Sequence, residues 1–144
     1  MHSRRVEIRF PGTHDGFAHG FARLLTVLDA ERLEGAPRYN SELVFEEIVD
    51  NIISHSAAPG EELDVRVTLE VRPDTIILTF EDNGVPFDPR GLPDPQPPKS
   101  LEEAKIGGFG VLLVRQAARS IDYLRTASGH NLLTVQVQRT GPAP

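Results

Sequence analysis

Apolar and polar residues alternate near the start of the chain, where Val6, Ile8 and Phe10 interleave with Arg5, Glu7 and Arg9. A period of two is that of a strand with one buried face, and Pro11-Gly12 ends it. The period then changes. Phe17, Phe21, Leu24, Leu25 and Leu28 recur at helical spacing behind Thr13 or Asp15, either of which can cap a helix. This helix is expected to stop near Gly35-Ala36-Pro37. A second is expected to begin at Asn40 or Ser41, to carry Leu43, Val44, Phe45, Ile48, Val49, Ile52 and Ile53, and to close at Pro59-Gly60. Alternation returns from Asp64 to Val71 and from Thr75 to Glu81, with Arg72-Pro73-Asp74 as a hairpin turn between them.

From Asn83 to Gly108 neither period holds, and six prolines fall between Pro86 and Pro98. A stretch of this length inside a compact domain is often an active-site lid, here about residues 88–106. Val111, Leu112, Val114, Ala117 and Ala118 then resume helical spacing. Ile121 to Thr126 and Leu132 to Gln138 pair as strands across Ser128-Gly129-His130-Asn131. The order βα, α, ββ, lid, α, ββ predicts an α+β fold: a two-layer sandwich with helices on one face of a mixed sheet. Residues 1–144 read as one domain with a frayed tail at about 140–144.

Composition narrows the partners. With 39% hydrophobic and 25% charged residues the chain has the balance of an ordinary globule. A net charge of −6 disfavours non-specific nucleic-acid binding, which needs a surplus of Lys and Arg. Cysteine is absent from the sequence, which excludes disulfides and thiolate metal sites. No apolar run approaches the roughly 20 residues of a membrane span, and the N-terminus lacks a signal-like apolar core. A cytoplasmic location is expected, with a protein or small-molecule partner.

Three islands break the pattern of a core. In Glu47-Ile48-Val49-Asp50-Asn51-Ile52-Ile53-Ser54-His55, the residues Glu47, Asn51 and His55 are spaced by four and stack along one helix side. Asn51 falls at the margin of the apolar face, where its poor helix propensity calls for compensation. Glu47 alone is equally compatible with a solvated helix side, and His55 reads as a boundary or helix-end residue. The second island, Asp82-Asn83-Gly84-Val85-Pro86-Phe87-Asp88-Pro89, follows an apolar strand. A carboxylate there can accept from an amino group, and Gly84 lets a flat ligand approach; the same residues also make a common turn. In the third, Gly107-Gly108-Phe109-Gly110, glycines at a helix start can point backbone N–H groups at an anion, or serve as hinges. No Gly-Lys-Ser/Thr follows, so this is not a Walker sequence.

Taken in order, the three islands resemble the N, G1 and G2 boxes of the GHKL (Bergerat) ATPase family. The resemblance is closest to anti-sigma-factor serine/threonine kinases of the RsbW type. There the boxes read Glu-x-x-x-Asn-x-x-x-His, Asp-x-Gly-x-Pro-Phe-Asp-Pro and Gly-Gly-x-Gly before an apolar helix ending in Val-Arg. These match Glu47 to His55, Asp82 to Pro89 and Gly107 to Arg115. Asp122-Tyr123 and the run from Gly129 through Asn131 and Leu133 to Thr134 extend the match, which spans about residues 5–139.

The resemblance implies ATP and Mg²⁺ as cofactors and assigns roles by position. Asn51 would hold the Mg²⁺ that bridges the phosphates. Asp82 would accept the adenine amino group, with Gly84 opening room for the ring and Thr134 supporting the contact directly or through water. Gly107, Gly108 and Gly110 would fold the lid over the phosphates. Glu47 would be the general base for an attacking hydroxyl. Lys105 or Arg115 is a further candidate for phosphate contact. The implied activity is transfer of the γ-phosphate to a Ser or Thr of a STAS-domain anti-sigma antagonist, by a homodimer that holds a sigma factor inactive. The competing reading is a nucleotide-responsive binding switch without phosphotransfer. A histidine-kinase reading fits less well, because no dimerisation helix pair with a phosphoacceptor histidine is present in the sequence.

Overall fold

The computed structural model describes residues 3–92 and 110–139. The tail at 140–144 and the part of the expected lid from 93 to 106 lie outside the described residues. Strand β1 (Arg4–Pro11) leads into helix α1 (His14–Ala30). Thr13 is the cap: its hydroxyl oxygen accepts the Gly16 N–H at 3.0 Å, while Asp15 sits in the first turn and complements the helix dipole.

Helix α2 (Gly35–His55) starts earlier than Asn40 or Ser41, and α1 ends earlier than Gly35. The reason is Pro37. In the first turn of a helix its missing N–H has no intrahelical acceptor to lose and its fixed φ is already helical, so it starts α2 where the sequence reading had it stop α1. The Ser41 hydroxyl donates to the Pro37 carbonyl at 2.7 Å inside that turn. The chain reverses between the helices through Arg32, held at φ 53°, and Gly35, at φ 64°.

Strands β2 (Asp64–Val71) and β3 (Thr75–Asp82), helix α3 (Gly110–Ala117), and strands β4 (Ser120–Arg125) and β5 (Asn131–Gln138) complete the order. A short 3₁₀ turn at Pro89–Gly91, capped by the Asp88 carboxylate, lies within the proline-rich stretch. The sheet runs β1-β2-β3-β5-β4 and every pairing is antiparallel, which corrects the expected mixed sheet. The crossover through α3 does leave β4 running in the direction of β3. The two never meet, because β5 inserts between them.

The core lies between the helices and one sheet face. Phe45 of α2 is its centre, with ring centroids 5.8 Å from Phe10, 6.1 Å from Phe17, 6.0 Å from Phe21 and 6.3 Å from Phe80. Burying a side chain of this size contributes about 2–3 kcal/mol. Around it, Ile48 and Val49 pack with Val67, Leu78 and Val135 of the sheet. The other face carries half-exposed residues such as Arg66, Thr68, Thr79, Glu81 and Thr134. Among the described residues no helix is long and apolar enough to cross a membrane.

Candidate active site

Strand phase delivers the first site residue. Ile76, Leu78 and Phe80 of β3 face the helices, and the same alternation puts Asp82 on that face, 2% exposed. A carboxylate in such a place needs donors. The Gly84 N–H donates to Asp82 Oδ1 at 2.9 Å, and the Asn131 side-chain amide donates to the same oxygen at 3.0 Å. Burial pushes the Asp82 carboxyl up; the Asn131 and Gly84 hydrogen bonds, and the charges of Arg125 and His130, pull the other way.

The turn after Asp82 is fastened to the end of α2. Val85 N–H donates to the Ser56 carbonyl at 2.8 Å, and a Cβ on Gly84 would collide with that same carbonyl. The glycine therefore makes room for the helix end as well as for anything approaching Asp82. Asn83 closes the turn on the other side, accepting the Asp64 N–H at 2.8 Å and donating to the Glu62 carbonyl at 3.1 Å.

From α2, Asn51 lines the same cavity as Asp82, together with Ile48, Phe87, Tyr123 and Asn131. Its volume is about 10 Å³, room for about one water. A flat ring can enter only if the Phe87 side chain and the turn at Pro89 give way. Phe87 stacks on His55 with centroids 4.7 Å apart, so this histidine packs against the loop at the helix end.

One turn before Asn51, the Glu47 carboxylate lies against Gly110 at the start of α3, where a Cβ would overlap it. Partial burial, then the neighbouring charges of Glu46 and Asp50, push the Glu47 carboxyl above the usual range. Glu47 also lines a cavity of about 210 Å³ with His14, Phe17, Glu46, Asp50 and Ile53.

The residues singled out in the sequence divide into groups. Glu47, Asn51, Asp82, Gly84 and Gly110 fall along α2 and the elements packed on it. Gly107, Gly108 and Lys105 lie outside the described residues. Arg115 donates to the Arg90 carbonyl at 2.8 Å. Thr134 is a correction: it pairs with Thr79 on the open sheet face, whereas Asp82 points to the helices. The residue directly opposite Asp82 is Asn131, 3% exposed and in phase with Leu133, Val135 and Val137. Strand alternation alone distinguishes the two positions.

The chemistry of the donor set fits a nucleotide with a metal ion. The Asn51 Nδ2 atom is buried without a hydrogen-bond partner. An amide's two ends exchange by a flip, so the same position can offer an oxygen to a cation. Among the described residues no group of three or more His, Asp or Glu could hold a metal by itself. Mg²⁺ beside Asn51 would thus need phosphate oxygens and water, its usual company.

Comparison with known proteins agrees with this geometry. Residues 15–137 match the histidine kinase-like ATPase domain family. The serine/threonine-protein kinase BtrW of Bordetella bronchiseptica is 31% identical over 105 residues, which is 73% of each chain. The fold is similar to part of the crystal structure of the RsbU and RsbW domains of Rv1364c from Mycobacterium tuberculosis, with TM-score 0.65 and 13% identity over 97% of this chain and 34% of that one. It is also similar to the histidine kinase domain of a blue-light activated histidine kinase from Erythrobacter litoralis, with TM-score 0.52 and 14% identity over 85% of this chain and 61% of that one. This chain thus spans about a third of the first structure and under two thirds of the second. It belongs to the histidine kinase-like ATPase (GHKL) domain family, on the side that resembles RsbW-type serine/threonine kinases.

Proposed function

We propose that this chain is an ATP-dependent serine/threonine protein kinase that acts as an anti-sigma factor and phosphorylates a STAS-type antagonist. The observation that carries the reading is the arrangement on α2. Glu47 stands one turn from Asn51, with its carboxyl pushed up by burial and by Glu46 and Asp50. A carboxylate of raised pKa is better matched to taking a hydroxyl proton near neutral pH. Its second surface, the 210 Å³ cavity beside His14 and Phe17, offers a route by which a partner's Ser or Thr could reach it.

ATP would supply the phosphoryl group, and Asn51 would hold the Mg²⁺ that offsets the phosphate charge. The chain's own work is positioning: Asp82 accepts the adenine amino group, and Gly110 leaves space for the Glu47 carboxylate. The likeness to BtrW, a serine/threonine-protein kinase by name, supports the direction of transfer. A homodimer is the expected assembly, with the antagonist and a sigma factor as alternative partners. The test is thermal melting with Mg·ATP, followed by a transfer assay on proteins that co-purify. Saturation at a hundredfold excess over Kd adds about 2.7 kcal/mol of stability. A melting curve unmoved by millimolar Mg·ATP in nucleotide-free protein contradicts the reading.

A further inference from the structure

The chain carries four asparagines, and of these Asn83 alone precedes a glycine. That pair is chemically distinct. The backbone nitrogen after an asparagine can attack its side-chain carbonyl carbon, and glycine offers no Cβ to hinder the cyclic imide that forms. Asn40, Asn51 and Asn131 precede Ser41, Ile52 and Leu132, whose side chains crowd the same step. Asn83 is also exposed, so water can reach it.

In the folded chain both reacting groups are held. The Asn83 carboxamide is turned to the start of β2, its Oδ1 accepting the Asp64 N–H at 2.8 Å and its Nδ2 donating to the Glu62 carbonyl at 3.1 Å. The attacking atom would be Gly84 N, whose hydrogen is donated to Asp82 Oδ1 at 2.9 Å. Attack needs that hydrogen removed, and a carboxylate beside the nitrogen disfavours the anion that results. Arg125 Nη1 donates to the Gly84 carbonyl at 2.9 Å, and the Val85 N–H donates to the Ser56 carbonyl at 2.8 Å. The peptide unit is therefore pinned on both sides.

We propose that Asn83-Gly84 is a latent self-modification site, held shut by the folded turn and converted to an isoaspartyl linkage when the turn opens. Gly84 N bonds to Asn83 Cγ and gives up its proton; the Cγ–Nδ2 bond breaks, and the amide nitrogen takes a proton and leaves as ammonia. Water then opens the imide at either carbonyl. One opening leaves an ordinary aspartate. The other routes the main chain through the side chain and lengthens it by a methylene. The longer chain does not keep the Gly84 N–H on Asp82 and the Val85 N–H on Ser56 together. Conversion thus uncouples Asp82 from the end of α2 and, on the nucleotide reading given above, weakens nucleotide binding.

The experiment incubates the full chain in mildly alkaline buffer, folded and in urea above its unfolding midpoint. Peptide mapping by mass spectrometry follows Asn83, and isoaspartyl methyltransferase labelling separates the two products. In urea Asn83 should convert ahead of the other asparagines. In the folded chain its conversion should be about tenfold or more slower, because the hydrogen bonds of the turn must open first. Equal rates in both conditions, or an unfolded chain in which Asn83 reacts no faster than Asn40, overturns the proposal. Calorimetric titration with Mg·ADP then compares the refolded isoaspartyl chain with Asn83→Asp. That variant carries the new charge on a main chain of ordinary length and keeps an acceptor for the Asp64 N–H. The isoaspartyl chain should bind about tenfold or more weakly than Asn83→Asp. Equal affinities overturn the effect assigned to the linkage. A wild-type chain that binds no Mg·ADP overturns the nucleotide reading, while the conversion rates still decide the modification site.

Discussion

The Glu47 carboxylate occupies the space that a side chain on Gly110 would fill, so the start of α3 and the middle of α2 share one small volume. The atom in the way is the far end of a flexible side chain. Gly110→Ala should therefore cost little stability while pushing the carboxylate aside. Phosphotransfer should fall in Gly110→Ala and in Glu47→Gln, and the double variant should be scarcely worse than either. Such non-additivity is expected of residues acting through one contact. Additive losses in the transfer rate would show that the two act separately.

Glu47 should also be a stability liability. Burial first, and then Glu46 and Asp50, raise its folded-state pKa above that of the unfolded chain. The protonated form is the one the fold prefers. Its stabilising contribution is complete below the unfolded value and is lost as pH rises through the raised folded value. At neutral pH Glu47→Gln should melt higher than wild type, and the gap should close on acidification below the ordinary glutamate range. A variant that melts lower than wild type at neutral pH contradicts this.

Asp82→Asn separates recognition from folding. The oxygen that accepts from Gly84 and Asn131 survives the change, and a buried charge disappears. Urea unfolding at neutral pH should show stability equal to or above wild type. Affinity for Mg·ATP should fall roughly ten- to a hundredfold, since an amide NH₂ then faces the adenine amino group. Unchanged affinity would remove Asp82 from the base subsite.

Gly84→Ala tests packing instead of chemistry. The new methyl group meets the Ser56 backbone carbonyl, which cannot swing away as a side chain can. Denaturant unfolding should report a loss of about 1–3 kcal/mol. The Val85–Ser56 hydrogen bond should lengthen with it, read as faster amide exchange at Val85. A fully stable variant would mean that the turn does not sit on the helix end as described.

Much of the architecture was legible because periodicity is local. The switch between periods of two and about 3.6 places every strand and α-helix of the described residues in order, and Thr13 competes with only one other cap. The helix boundary differs because one residue serves two purposes. Pro37 reads as a helix stop, yet in the first turn it starts α2. Gly84 reads as room for a ligand, and its missing Cβ also makes room for the Ser56 carbonyl. Pairing order depends on contacts far apart in sequence, so the insertion of β5 between β3 and β4 left no local trace. At the site, the motif match points to Thr134, whereas strand phase points to Asn131, two positions before Leu133 on the apolar face and directly opposite Asp82.

Transfer of phosphate from Mg·ATP to a captured protein partner, measured with wild-type chain and Glu47→Gln side by side, is the decisive test. Wild type should phosphorylate the partner on Ser or Thr. Glu47→Gln should bind the partner and Mg·ATP as well as wild type, with transfer reduced about 10²- to 10⁴-fold, the usual contribution of a general base. Transfer at the wild-type rate by Glu47→Gln contradicts the assignment of the base. Wild-type protein that binds both partner and Mg·ATP but transfers no phosphate contradicts the kinase and leaves a nucleotide-responsive switch in its place.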